Sequence, residues 1–319
     1  MKKRVAPDEI IKLAAMECAA SCITTALNLF GCDYRYFLLG YWNLTYYAGT
    51  LMSGKHVRQL DLESVFGIQK TLHAGSAVSL RESLDEQSIV LMLCHASKLD
   101  FFPRNELSLE AEGFQHYILI YGYDAVSKQY LIIDPIADYI GGMTEEALYA
   151  SSVREDLRYY RLVFPTDRQQ PDHLAIIRME TERNLSCYTL DEANAEGNAI
   201  DQFSIDLTAM AERPVDERNA WIDRNNISIS SVIKSRGLIG EIYRSFHLLE
   251  EEDLRHYASS IDQIIKLWTT VNFLLIKFKR NPAQAGLTDS IRQRLEAVKA
   301  LEKAFLDFLH LKGRERIEV

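Results

Sequence analysis

The sequence is poor in the features that define several large classes of protein. It has only five cysteines among 319 residues, and this odd, scattered set argues against a disulfide framework. It contains no CxxC pair and no cysteine–histidine cluster with the spacing of a zinc site. Basic residues are not in excess, since the formal net charge is −9 at pH 7, which argues against a dedicated nucleic-acid binder. The chain also has no internal repeat and no low-complexity tract.

Long apolar runs are also missing. No run approaches the length of a membrane span, and acidic Asp8 and Glu9 follow the basic start instead of an apolar signal-peptide core. We therefore expect a cytoplasmic protein with no membrane partner and no nucleic-acid partner. The residues that are present, 47% apolar and 25% charged, are typical of a globular chain long enough for one large or two medium domains.

The sequence pattern of the chain changes near its middle. Residues 1–165 combine a short helix with apolar, β-type runs at 88–94, 116–123, 130–134 and 159–164. The polar segment 165–172, bracketed by prolines, is typical of a linker. Apolar residues spaced three and four apart along 254–278 predict a long helix, and a second helix is expected from Ile291 to about Leu311. We expect a mixed domain at 1–165 and a mostly helical domain at 172–319.

The stretch AMECAASCITTALNLFG places Cys18 at the predicted start of a helix that ends at Gly31. The first backbone N–H groups of a helix are unpaired and the helix dipole is positive there. A thiolate at that position is stabilised, as a cysteine nucleophile requires. Cys22 lies one turn further in and lacks this benefit. A lone cysteine in an apolar helix is more often a small buried apolar residue, so only partner residues would make Cys18 a nucleophile.

Candidate partners lie in a predicted β-hairpin. His116 opens the first strand, and Asp134 closes the second strand immediately before Pro135. If the turn centres near Ala125, positions 116 and 134 are equidistant from it and face each other across the strands. An imidazole oriented by a carboxylate is the base half of a nucleophilic triad. His116 alone would more often be a structural strand-end residue, but the order cysteine, histidine, aspartate is the order of papain-like folds.

These residues carry a resemblance to a known family. The stretch ECAASCITTALNLFG resembles the nucleophile helix of the bacteriocin-processing cysteine peptidases, which trim double-glycine leader peptides. The motif of that family runs acid, cysteine, cysteine and glycine, and here it falls on Glu17, Cys18, Cys22 and Gly31. The resemblance assigns the nucleophile to Cys18 and a structural role to Cys22.

The hairpin and the C-terminal half extend the resemblance. The strands HYILIYGYD and IIDP resemble the histidine and Asp-Pro strands of the same peptidases, which implies that His116 is the base and Asp134 orients it. A closer resemblance is to the butirosin biosynthesis protein H-like family, through LDFFP at 99–103, GYD before the Asp-Pro strand, and the helical tail 262–309. Residues 175–235 match nothing in it. The implied fold is α+β: a papain-like cysteine protease fold, with an N-terminal helix on an antiparallel sheet, followed by a helical C-terminal domain.

The implied activity is acyl transfer in natural-product, thiotemplated (nonribosomal) biosynthesis. Such an enzyme takes an acyl group from a carrier-protein thioester through Cys18 and passes it to an amine, forming an amide. The implied partners are an acyl or peptidyl carrier protein and a small amine acceptor. No intrinsic cofactor and no metal is expected, and the phosphopantetheine arm of the carrier is part of the substrate. The residues leave two alternatives open: a cysteine hydrolase, either peptidase or thioesterase, or a catalytically silent papain-like binding module.

One position departs from the family pattern. The leader peptidases place a glutamine six residues before the nucleophile to build the oxyanion hole, and here that position is Lys12. Thioesters need less oxyanion stabilisation than amides, so the departure fits a transferase better than a peptidase. It also fits a silent module.

Overall fold

The computed structural model divides the chain into two compact units, each built from two segments. The first unit combines Met1–Tyr34 with Asp61–Pro171, and the second combines Arg35–Leu60 with Asp172–Val319. The residues described are 5–13, 17–54, 62–103, 115–154, 156–167, 172–188, 198–247, 249–282 and 284–315. Part of the predicted linker, 168–171, lies outside these ranges. The fold is α+β, as expected.

A six-stranded antiparallel sheet forms the centre of the first unit. Its strands are β3 (Gln69–Gly75), β4 (Ser88–His95), β5 (Gln115–Asp124), β6 (Gln129–Asp134), β7 (Tyr139–Thr144) and β8 (Leu157–Val163). Their order across the sheet is β3-β8-β4-β5-β6-β7. The four predicted apolar runs are the strands β4, β5, β6 and β8, and these four predictions are confirmed. The two edge strands, β3 and β7, carry weaker apolar patterns and were not predicted.

The described residues of the first unit form the α-helices α1 (Cys18–Leu29), α3 (Leu62–Phe66), α4 (Ala77–Glu82) and α5 (Glu145–Ser151). Apolar side chains from α4 and α5 pack on one face of the sheet, for example Leu80 and Leu148 in a cluster with Met92, Ile118 and Ile132. This cluster holds the strand ends that carry the candidate site.

Helix α1 begins at Cys18 and ends as the sequence predicts. Glu17 is its N-cap, and Gly31 follows its end at φ +68°, a left-handed conformation that glycine adopts at little cost. The helix packs against the sheet, because Cys22 Sγ donates to the Tyr117 carbonyl of β5 at 3.4 Å. At its other end Phe30 stacks on Phe164 with ring centroids 3.8 Å apart. The predicted packing of an N-terminal helix on an antiparallel sheet is confirmed.

The second unit is helical apart from one hairpin. Its helices are α2 (Arg35–Leu39), α6 (His173–Ser186), α7 (Ala199–Ala211), α8 (Val215–Ser245), α9 (Glu251–Arg280) and α10 (Leu287–Glu315), and its strands are β1 (Leu44–Tyr47) and β2 (Thr50–Ser53). The apolar stripe predicted along 254–278 is buried on α9. None of the helices in the described part of the chain is both long and apolar enough to cross a membrane.

Residues 35–60 belong to the second unit, whereas the sequence-based division placed them in the domain 1–165. Polar side chains of α8 hold the hairpin: Asn225 accepts from the Leu51 N–H at 2.9 Å and donates to the Gly49 carbonyl at 2.9 Å. Asn184 of α6 donates to the Leu39 carbonyl at 3.0 Å. These partners lie more than a hundred residues away along the chain, so no local pattern in the sequence indicated them.

A buried ion pair connects the long helices of the second unit. The Arg236 guanidinium donates to both carboxylate oxygens of Glu302, at 2.6 and 3.0 Å, and neither side chain is exposed. The Trp268 indole donates to the same carboxylate at 2.7 Å, and the Tyr188 hydroxyl also donates to it. Arg236 additionally lies over the Trp42 ring, 4.3 Å from its centroid. The carboxylate therefore has partners from three other segments of the unit.

Removing one member of this pair is expected to destabilise the protein strongly. Glu302→Gln leaves the Arg236 charge buried without its counter-ion, which costs about 3–5 kcal/mol. The matched control is Glu241→Gln, because Glu241 forms an exposed pair with Arg244 and such pairs contribute at most about 1 kcal/mol. Urea denaturation of both variants measures the difference. Equal losses would show that the buried pair does not hold the helices together.

Candidate active site

The first unit brings Cys18, His116 and Asp134 together. Cys18 is the first residue of α1 and is half-buried, His116 lies at the start of β5, and Asp134 is the last residue of β6. His116 Nε2 donates to Asp134 Oδ2 at 2.7 Å, with the two side chains 1% and 0% exposed. Cys18 is close enough to His116 to raise the pKa of its imidazole. Because Asp134 occupies Nε2, the ring nitrogen that remains for the thiol is Nδ1.

The register between the two strands differs from the expected one. Leu119 pairs with Ile133, and a bulge interrupts the ladder between Ile120 and Gly122. Continuing this register places Asp134 opposite residue 118, so that His116 is its diagonal neighbour and not the residue directly across. The turn at 125–128 would place Asp134 opposite residue 119, three residues from His116, and the extra residue of β5 at the bulge reduces this difference to two. Diagonal neighbours on one face still lie within reach of a long side chain.

The Asp134 carboxylate is fully satisfied. Its Oδ1 accepts the backbone N–H groups of Ile136 and Ala137 at 2.9 and 3.1 Å, the pattern of an aspartate that initiates a turn. Its Oδ2 accepts from His116. The Asp-Pro dipeptide was the sequence signal for this turn, although the two N–H contacts were not predicted. They hold the carboxylate in one orientation, and the carboxylate in turn orients the imidazole.

Burial and charge compete at the imidazole. Burial disfavours the protonated form of His116, but the hydrogen bond to Asp134, the interaction with Cys18 and the negative charge of Asp134 outweigh it. The net result raises the pKa of His116 from its ordinary 6.5 to about 9. An imidazolium beside a thiol is the arrangement that stabilises a thiolate nucleophile and later supplies a proton to a leaving group.

Two other cysteines near the site are structural. Cys22 is fully buried, and burial raises the pKa of its thiol well above the ordinary value, with the negative charge of Asp134 adding to the effect. Cys94 pairs with His116 across β4 and β5, and burial raises the pKa of its thiol to about 12. Neither thiol will ionise near neutral pH.

An aromatic ring for which the sequence predicted no role also contacts the site. Phe102 packs edge-on against His116, with centroids 4.6 Å apart and the planes inclined at 63°. It belongs to the LDFFP stretch, which followed a strand in the sequence but carried no assigned role. Its buried ring limits the access of water to the imidazole.

Lys12 lies close to the turn that follows Asp134. Its Nζ pairs with Asp138 Oδ1 at 2.5 Å, with both side chains about half exposed. Within the described ranges, no three histidine, cysteine, aspartate or glutamate side chains lie together in a way that would hold a metal ion.

No protein-family model matches this chain, and no curated protein matches its sequence. The likeness to the leader peptidases and to the butirosin biosynthesis protein H-like family is therefore a resemblance carried by motifs.

We expect Cys18 to be the fastest cysteine to react with iodoacetamide at neutral pH, because it is the cysteine that combines a helix N-terminus with a neighbouring His116 imidazole. Peptide mapping by mass spectrometry measures the five rates. The matched comparison is Cys187, a partly exposed thiol that caps the C-terminus of α6, where the dipole is negative. A Cys18 rate equal to that of Cys187, or a faster Cys22, would contradict the assignment.

The pKa of His116 also predicts a pH dependence of stability. The folded-state pKa of His116 is about 9, against an ordinary 6.5, so protonation of His116 stabilises the folded protein. This stabilisation is complete below pH 6.5 and is lost as the pH rises to 9. A pKa shift of this size corresponds to a stabilising free energy on the order of 3 kcal/mol. The free energy of unfolding should therefore fall between pH 6.5 and 9 by more in the wild type than in His116→Gln. Parallel curves for the two proteins would mean that His116 is not protonated in the fold.

Proposed function

We propose that this protein is a cysteine-dependent acyltransferase that moves an acyl group from a carrier-protein thioester to an amine and so forms an amide. The observation that carries the proposal is the grouping of Cys18, His116 and Asp134. His116 donates to Asp134 and interacts with Cys18, which is the first residue of a helix. The motif resemblance to enzymes of natural-product biosynthesis supports the choice of acyl transfer over other cysteine chemistry.

The first half-reaction transfers the acyl group to the enzyme. The Cys18 thiolate attacks the thioester carbonyl, and the bond between the carbonyl carbon and the pantetheine sulfur breaks. The departing pantetheine thiolate takes the proton from the His116 imidazolium. One thioester replaces another, so the chemical step is close to thermoneutral and the protein contributes mainly positioning.

The second half-reaction releases the product. The acceptor amine attacks the acyl-enzyme, neutral His116 takes a proton from the amine nitrogen, and the bond to the Cys18 sulfur breaks. The products are the amide, the Cys18 thiolate and the His116 imidazolium, which is the starting state. Asp134 keeps the imidazole oriented and stabilises its charge through both steps.

The finer fold assignment forms part of this proposal. The order nucleophile, histidine, aspartate along the chain, with the nucleophile on a helix packed against an antiparallel sheet, supports a papain-like catalytic unit. The phosphopantetheine arm enters as part of the substrate, and the setting we propose is the cytoplasm.

Intact-protein mass spectrometry after incubation with acyl-pantetheine thioesters tests the proposal. We expect a mass increase equal to the acyl group in the wild type and none in Cys18→Ala, while Cys187→Ala behaves as the wild type. Asp134→Asn should acylate at least a hundredfold more slowly, because its imidazole loses orientation.

Adding small amines to the acylated enzyme separates the alternatives. Amide formation faster than hydrolysis is the expected result. Rapid loss of the adduct to water in the presence of amines would identify a hydrolase, and the absence of any adduct would indicate a silent binding module. Either outcome overturns the transferase proposal.

A further inference from the structure

Two rows of side chains lie next to each other on one face of the sheet. In the first row, Leu72 of β3 and Leu91 of β4 both pair with Tyr160 of β8. In the second row, Leu93 of β4 pairs with Tyr117 of β5. Residues that pair directly across strands share a face, and residues two apart on one strand do so as well. The rows therefore form a continuous apolar and aromatic surface across four strands.

A groove of about 190 Å³ lies on this surface. The five side chains of the two rows line it, together with the segment Ser152, Val153 and Arg154 and with Arg158 and Tyr159. Of the strand residues, Leu91 is buried, Leu93, Tyr117 and Tyr160 are half-buried, and Leu72 is exposed. The groove is thus an open concavity with an apolar floor.

One end of the groove adjoins the candidate active site. Helix α1 lies on the same face as the groove, because Leu29 and Phe30 line a cavity with Ile89 of β4, and Ile89 shares a face with Leu91 and Leu93. The Tyr117 carbonyl accepts from Cys22, which lies one helical turn after Cys18. A ligand lying in the groove with one end at Tyr117 would therefore reach α1 within one helical turn of Cys18.

The other end carries positive charge. Arg154 and Arg158 line the groove and are exposed, and Lys70 Nζ lies 4.7 Å from the centroid of the Tyr160 ring. Arg158 also contacts Asp156 at 3.2 Å, but that pair is nearly half exposed and is therefore weak. Among the described residues that line the groove, none is acidic.

We propose that this groove binds the acyl part of the donor, and that this acyl part has an apolar body and a carboxylate at its far end. The inference rests on the proposed acyl transfer. Arg158 lies on β8, two strands from Tyr117, which is about 10 Å at the usual strand spacing. A guanidinium binds a carboxylate through paired hydrogen bonds, so Arg154 and Arg158 select the anionic end while the floor accepts the chain.

Isothermal titration calorimetry with octanoate tests binding without any need for turnover. Octanoate should bind at least tenfold more tightly than octylamine, which has the same chain and the opposite charge. The double variant Arg154→Ala, Arg158→Ala should weaken octanoate binding at least tenfold. Arg81→Ala is the matched control, because Arg81 is an arginine of the same unit that does not line the groove, and it should bind octanoate like the wild type. Equal affinity for octanoate and octylamine, or unchanged binding in the double variant, would overturn the inference.

Turnover then distinguishes this inference from the proposed function. Adipoyl- and hexanoyl-pantetheine have acyl chains of equal length, and only the first ends in a carboxylate. We expect kcat/KM to favour adipoyl-pantetheine at least tenfold in the wild type and this preference to disappear in the double arginine variant. If neither thioester reacts, the acyl-transfer proposal fails and the calorimetry still decides the groove. If both react equally, acyl transfer stands and the groove does not select the donor.

Discussion

The buried hydrogen bond between His116 and Asp134 is the interaction on which the candidate site depends. Both side chains are almost fully excluded from water, so loss of either would leave a polar group buried without its partner. The bond is possible because β5 and β6 are adjacent in the sheet and the two residues share one face at the same end. The hydrogen bond to Asp134 and the negative charge of its carboxylate favour the protonated imidazole, which the proposed chemistry at Cys18 uses.

The alternation of side chains along β4 and β5 separates two tasks. Cys94 and His116 point to one face of the sheet, where Phe102 and the apolar cluster pack. Leu93 and Tyr117, one residue away, point to the other face and form part of the groove. A single pair of strands thus carries a residue of the candidate site and the lining of the groove next to each other, since the side-chain period of a strand is two.

Helix packing and buried polar contacts hold the second unit together. Its long helices bury apolar stripes at helical spacing, and the Glu302 carboxylate joins Arg236, Trp268 and Tyr188 inside them. Removing one member of such a pair is costly, because it leaves the other charge buried without its partner. The polar contacts of Asn225 to the β1–β2 hairpin act in the same way.

The amino-acid sequence by itself determined the four apolar strands, helix α1 with its end at Gly31, the amphipathic helices of the C-terminal half and the grouping of Cys18, His116 and Asp134 as candidates. These follow from local periodicity, from glycine and proline signals and from the polarity of a helix, all of which act within a few residues. Only the tertiary structure decided the diagonal pairing of His116 with Asp134, the place of residues 35–60 in the second unit, the position of Phe102 and the rows that form the groove. Each of these depends on a bulge, a strand register or a hydrogen bond between segments far apart in the chain, and such contacts form only when the whole unit packs.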